Sequence, residues 1–376
     1  MRHIYLTAIS FLLSAACIAK QPEAASLQAP VCCEPGSYRG IPLTFLTSVP
    51  EAIGFEVNAS YLYWNVLSDA MDYAYTFVEN GSPNGALYQT DARIVRADWP
   101  WESAPRVEAG FAGEFWDTKA SWTYFKTSDS ASISEETFQP GGSIGAIARR
   151  LRLLWLIESR KTPGLPNSLF QDVTDAEASS SIKYTTADWV AGCSLSLNEH
   201  FYLRPFFGAR AAWIKQNLKI DAVDVNAAMT GELSRTTTKL HNFFRGCGLY
   251  FGGNGKYYAT SWFSFYANAS LSLLAGSFEL KENQTSIVLD LPNSVVSHSN
   301  LSRNAIRPSL SLGTGVDLCF HGSKEKFAAG LTGGYEVNYW PNQSEWVRFV
   351  GQYSGEFKHP GDLTFHGAVV QGYVIF

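Results

Sequence analysis

The sequence predicts an all-β fold: a single antiparallel transmembrane β-barrel of about 10–12 strands, with short periplasmic turns and long outer loops. Apolar and polar residues alternate with period two from Phe55 to the last residue, and no Pro/Gly/Ser linker or charge run divides the chain. The alternating arms reach about a dozen residues, where a globular strand has about five or six, and so match the roughly nine to eleven tilted residues that cross a bilayer. Charged residues make up 17% of the 376 residues and aromatics 14%, with 11 Trp, 18 Tyr and 24 Phe. Such a profile suits strands with one apolar and one polar face, which average out in a hydropathy window.

At the N-terminus, Arg2 and His3 precede the apolar run Ile4 to Ala16, with small residues around Ala16 and Ala19. This reads as a cleaved secretory signal over 1–19. Ser14-Ala15-Ala16-Cys17 also resembles a lipoprotein box, with Ser where Leu is preferred. No later stretch approaches the run of about eighteen apolar residues that a membrane helix needs, so any crossing is by barrel. Residues 20–53 form a lead containing Cys32, Cys33, Pro30, Pro35 and Gly36, and the barrel is expected over 54–376. Vicinal Cys32 and Cys33 rarely bond each other, which makes them disulfide candidates with partners elsewhere in the chain or in neighbouring envelope proteins. Cys193, Cys247 and Cys319 fall within expected strands, and no Cys/His spacing suggests a metal or other cofactor.

In the first strand, Phe55, Val57, Ala59, Tyr61 and Tyr63 alternate with Glu56, Asn58, Ser60 and Leu62. A turn-rich segment containing Asn80-Gly81-Ser82-Pro83-Asn84-Gly85 follows. Val107, Ala109, Phe111, Gly113 and Phe115 then alternate with Arg106, Glu108, Gly110 and Glu114, and the chain turns near Trp116-Asp117 to return through Ala120, Trp122 and Tyr124. The clearest hairpin runs from Asp188 to Gln216. One face of it carries Trp189, Ala191, Cys193, then Leu203, Pro205, Phe207, Ala209, Ala211 and Trp213, with Asn198, Glu199 and His200 as the turn. Between about 127 and 184 lies the longest connection. Within it Ile147 to Ser159 has helical spacing and a cluster of Arg149, Arg150 and Arg152, suiting a pore-inserted segment, a loop helix or an irregular strand. Further strands are expected at 243–251, 263–278, 307–318 and 327–339, and the last ends at Phe376, where a terminal aromatic is the expected assembly signal.

Short and long connections alternate along the chain, as in outer-membrane barrels. This places Tyr61, Tyr63 and Trp64, Trp122 and Tyr124, Trp213, and Tyr339 and Trp340 in one outer aromatic girdle. Parity sends Glu108, Glu114, Lys119, Arg204, Arg210, Arg307 and Glu336 inward, as pore-lining candidates or members of a charge ladder across the lumen. The expected partners are outer-membrane lipid and small solutes or ions. A net charge of −5 without a basic stripe argues against nucleic acid.

The strand Arg204-Pro205-Phe206-Phe207-Gly208-Ala209-Arg210-Ala211-Ala212-Trp213-Ile214, with Ala59-Ser60-Tyr61-Leu62-Tyr63-Trp64, Trp116-Asp117 and Ser121-Trp122-Thr123-Tyr124-Phe125, resembles the Legionella-type major outer membrane protein family of pore-forming proteins. The likeness covers most of the chain after the lead. It implies a porin-like outer-membrane barrel, sometimes disulfide-linked in envelopes that rely on Cys-rich proteins. The expected function is passive diffusion of small solutes or ions by a protein that is not an enzyme, with a homo-oligomer or disulfide-linked envelope proteins as expected partners. The Arg-rich insertion and the Cys pair have no match in that resemblance. Two other classes compete: an adhesive or structural barrel with a side-chain-filled lumen, and an outer-membrane hydrolase, for which His298-Ser299 is the one sequence cue.

Overall fold

The computed structural model describes residues 54–81, 87–112, 116–134, 148–155, 172–197, 200–224, 234–288, 295–321, 328–350 and 355–376. Its strands are β1 (Gly54–Ser68), β2 (Asp72–Gly81), β3 (Leu87–Arg96), β4 (Glu102–Ala112), β5 (Trp116–Ser134), β6 (Ala148–Leu153), β7 (Asp172–Val173), β8 (Asp175–Cys193), β9 (Leu195–Ser196), β10 (Phe201–Asp224), β11 (Ser234–Tyr258), β12 (Phe263–Val288), β13 (Val295–His321), β14 (Ala328–Val350) and β15 (Gly355–Ile375). Antiparallel pairing runs β1-β4-β5-β8-β10-β11-β12-β13-β14-β15 and returns to β1, which closes a ten-stranded barrel. At the seam, Glu56 pairs with Ile375 and Ser68 with Leu363. Phe55 and Phe376 complete the seam by exchanging backbone hydrogen bonds of 2.9 and 3.0 Å. Little β9 lies beside the start of β10 in the turn after β8.

The amphipathic pattern is turned inside out relative to a water-soluble protein. Phe55, Val57, Tyr61 and Tyr63 of β1 are exposed, while Glu56, Asn58 and Ser60 between them are buried. The same holds on β10, where Trp213 faces out and Arg204 is 0% exposed. An apolar outer wall around a polar interior is stable only where lipid is the outer solvent.

On β10 the outward face is Leu203, Pro205, Phe207, Ala209, Ala211 and Trp213, then turns polar with Lys215, Asn217 and Lys219. Eleven residues from Leu203 to Trp213 therefore form the apolar band, in keeping with the strand length that spans a bilayer. Beyond it, at the end away from the short turns, the strands do not become the long loops expected from sequence. The polar stretch between the expected hairpin ending at Gln216 and the expected strand from 243, which sequence reads as loop, is mostly ladder: β10 continues to Asp224 and β11 begins at Ser234. Inside this extension Leu218, Ile220, Ala222 and Leu240 remain buried. Its outward residues are mostly polar, Asn217, Lys219 and Asp221 on β10 and Arg235, Thr237, Lys239 and His241 on β11, so the alternation persists with its apolar face turned inward.

A second sheet, ordered β3-β2-β6-β7, occupies the connections from β1 to β4 and from β5 to β8. Here the structure corrects the helical reading of Ile147–Ser159. Residues 148–153 form β6, which pairs antiparallel with β2, and Leu151, Leu153 and Trp155 are its buried period-two face. Arg152 lies over the Phe77 ring, 4.5 Å from its centroid. Trp155 docks edge-on against Trp346 of β14 and donates a 2.6 Å hydrogen bond to the Asp72 carbonyl. Residues 156–159 lie outside the described residues.

Candidate functional site: the barrel lumen

Every described charge that parity sent inward faces the lumen, and each is held by a partner. Lys119 meets Glu56 at 2.8 Å, with 5% and 1% of their side chains exposed. Arg204 forks onto Asp117, with Nε to Oδ2 at 2.7 Å and its Nη2 on Oδ1. Arg210 makes two 2.8 Å bonds to Asp188 and stacks its guanidinium over Tyr250, 3.9 Å from the ring centroid. Arg307 and Arg303 share Glu345 at 2.6 Å each. Glu336 receives both arms of Arg106 at 3.0 and 2.7 Å, and Glu108 accepts from Asn58 at 3.3 Å. Lys256 pairs with Asp317, which also accepts from Ser264 and Tyr373. Sequence reading found one residue of most pairs but missed Glu56, Arg106, Asp117, Asp188, Lys256, Arg303, Asp317 and Glu345. Asp188 was the accessible one, since it stands directly opposite Arg210 in the hairpin register.

Of the two readings offered for these charges, the paired arrangement is that of a charge ladder across the lumen rather than of separate pore-lining groups. A carboxylate or guanidinium shut away from water is tolerated only when paired and hydrogen-bonded. The fork–fork geometry of Arg106, Arg204 and Arg210 supplies that. Glu114, Cys32 and Cys33 lie outside the described residues. Phe376 ends the seam with its ring exposed on the outer wall.

Between the pairs made by Glu56, Asp117, Asp188 and Glu336 and those made by Glu345 the lumen is crossed by an aromatic layer. Trp64 of β1 packs against Phe125 of β5, Tyr184 of β8 and Phe365 of β15 at centroid distances of 5.6, 6.2 and 5.9 Å. Tyr184 in turn meets Trp340 of β14 at 5.9 Å. Strands β8 and β14 stand five places apart in the ring of ten, so this contact spans the full diameter. Trp64 and Trp340 thus depart from the expected girdle: each shares the inward parity of its strand and is buried at 0% and 1%. Tyr61, Tyr63, Trp122 and Trp213 do face outward.

A third tier follows, where Gln216 Nε2 donates to Ser344 Oγ at 2.8 Å and Asn242 Nδ2 to the Glu345 carbonyl at 2.8 Å, both across the interior. Glycines make room for the large side chains. A Cβ on Gly192 would strike the Arg204 guanidinium, and one on Gly330 the Tyr373 ring. Interiors of small barrels are filled by such alternation of small and large residues. His298 and Ser299, the one hydrolase cue, sit next to each other on β13 and so point to opposite faces. The His298 Nδ1 is engaged with Asn283 at 2.6 Å.

Residues 48–376 match the family described as Legionella pneumophila major outer membrane protein precursor. No curated protein matches. Among solved structures, the outer membrane protease OmpT of Escherichia coli aligns at 8% identity and a TM-score of 0.38, covering 87% of this chain and 98% of that one. The toluene transporter TodX of P. putida aligns at 9% identity and a TM-score of 0.26, covering 86% and 90%.

Proposed function

Because the chain belongs to the Legionella pneumophila major outer membrane protein family and is a barrel of the bacterial outer membrane, we propose that it is a narrow channel for small solutes or ions, closed at rest by its own side chains. The observation that carries this reading is the set of lumen ion pairs standing on either side of an aromatic layer, Glu336 on one side of Trp340 along β14 and Glu345 on the other. Paired charges leave a polar path once they exchange partners, and Glu345, held by both Arg303 and Arg307, already has two cations to choose from. The aromatic layer of Trp64, Phe125, Tyr184, Trp340 and Phe365 is then the barrier.

A second reading, a structural barrel with a permanently closed lumen, is favoured by the Tyr184–Trp340 contact across the whole diameter. Single-channel recording in a planar bilayer separates the two. The channel reading expects brief, small openings from the wild type, and more frequent or larger ones from the Trp64→Ala/Phe365→Ala variant, whose folding is checked by heat-resistant mobility on gels. Silence from both folded proteins would establish the structural barrel. A large, steady conductance from the wild type would mean a wide porin and a lumen unlike the one described.

A further inference from the structure

On the outer wall, Lys126 of β5, Lys183 of β8 and Lys215 of β10 stand side by side in register. All three are exposed, and among the described residues none is paired with a carboxylate. Adjacent strands lie about 4.8 Å apart, so three ammonium stems project from a strip roughly 10 Å wide. Like charges directly opposite each other on neighbouring strands are destabilising, and this chain carries a net charge of −5, so composition does not account for the row. Arg245, one register step nearer the apolar band on β11, extends it as the neighbour opposite Trp213.

The row's height on the barrel defines what it meets. One register step towards the band lie Tyr124, Thr185 and Trp213, with Trp122 a further step down, so the lysines stand where the apolar wall gives way to the outer polar surface. Below, a trough of about 800 Å³ runs past Ala211, Cys247 and Ala275 between Trp213 and Ile306, wide enough for hydrocarbon and lined by small side chains. Above, a groove of about 820 Å³ crosses the extended hairpins, lined by Ser128, Ser181, Asn217, Lys239 and His241. Asp129 also lines this groove and accepts a 3.1 Å hydrogen bond from the Asp98 backbone N–H, while nearby Asp221 is engaged by Lys219 and Glu279 by Lys281.

We propose that this face is a binding site for a phosphorylated glycolipid of the outer leaflet. Acyl chain fills the trough, phosphate bridges Lys126, Lys183, Lys215 and Arg245, and sugar hydroxyls meet the hydroxyl- and amide-lined groove. The three zones are stacked in the order that such an amphiphile presents them. Ammonium groups bind phosphate as point charges and the guanidinium as a planar fork, and both gain strength at the edge of a low-dielectric wall. The proposal rests on the barrel's outer wall and is independent of whether the lumen conducts.

The test uses the folded full-length chain in detergent, with retained lipid counted by native mass spectrometry. The probes are bis-phosphorylated lipid A, the same lipid dephosphorylated, and inorganic phosphate. Wild type should retain bis-phosphorylated lipid A, and the Lys126→Gln/Lys183→Gln/Lys215→Gln variant should bind it roughly tenfold or more weakly. The corresponding Lys→Arg variant should restore binding. Dephosphorylated lipid should bind both proteins weakly, and millimolar phosphate should compete poorly because it cannot use the trough. Equal retention of lipid A by the Gln variant, or of dephosphorylated lipid by the wild type, would overturn the assignment. Full competition by phosphate alone would reduce the face to a general anion site and overturn it equally.

Discussion

Arg204 reaches Asp117 across β8, over Gly192, and both partners are buried to 1% exposure or less. Removing one member of such a pair strands the other in a low-dielectric interior, which typically costs about 3–5 kcal/mol. Arg204→Ala should therefore lower the urea midpoint of the folded barrel far more than the Arg204→Ala/Asp117→Ala double variant, and a double-mutant cycle read from those midpoints checks it. Parity alone placed Arg204 and Arg210 inside. Their partners lie on other strands, and no spacing along one chain reveals which acid a given arginine will find. The exception is a pair on neighbouring strands such as Arg210 with Asp188, legible once the hairpin register is set.

For the strands, the same alternation rule succeeded in the apolar band and failed beyond it. Segments such as Thr236-Thr237-Thr238-Lys239 look like loop because their outward residues are polar and their inward ones include Thr. The clue is Leu218, Ile220 and Leu240 recurring on one parity. Ile147–Ser159 failed for the opposite reason, since a short apolar run fits both a helix and a strand. Trp64 and Trp340 were grouped with nearby aromatics when their parity already pointed inward.

The extended hairpins also carry a titrating group. His241 of β11 donates from Nδ1 to the Asn217 Oδ1 at 2.7 Å, and its pKa is held below the ordinary imidazole value by burial and by the charges of Lys215 and Lys281, against an opposing pull from Glu279. A depressed folded pKa means the unfolded chain binds the proton first as pH falls below about 6.5. Stability should thus decline on acidification from that point down to the depressed folded value, and stay level above it. Comparing thermal midpoints of wild type and His241→Asn between pH 5 and 8 checks this, with the variant expected to lose that part of the slope.

At the scale of the whole barrel, the band of exposed apolar residues fixes where lipid begins and ends. Leu249, exposed at 47% on β11, lies well inside the band, whereas Asn217 stands above the lysine row. Leu249→Lys should cost about 2–4 kcal/mol of folding into lipid vesicles, and Asn217→Lys close to nothing. Denaturant titrations of vesicle-folded protein measure both. Equal costs would place the boundary elsewhere.

The seam between β1 and β15 joins residues more than three hundred positions apart, Phe55 to Phe376. No partial product of synthesis that lacks β15 contains a closed ring, because β15 is the first strand's second neighbour and the last strand of the barrel in chain order. Until then both edges of the growing sheet stay open, and an open edge is a template for pairing with another chain. The chain must therefore cross the periplasm as an unclosed polymer whose ends meet late, at the entropic cost of the longest loop the fold contains. Its assembly rate is thereby tied to delivery of the two termini to one place, and a variant that weakens only this seam would be expected to slow insertion while leaving the finished barrel's other hairpins unchanged.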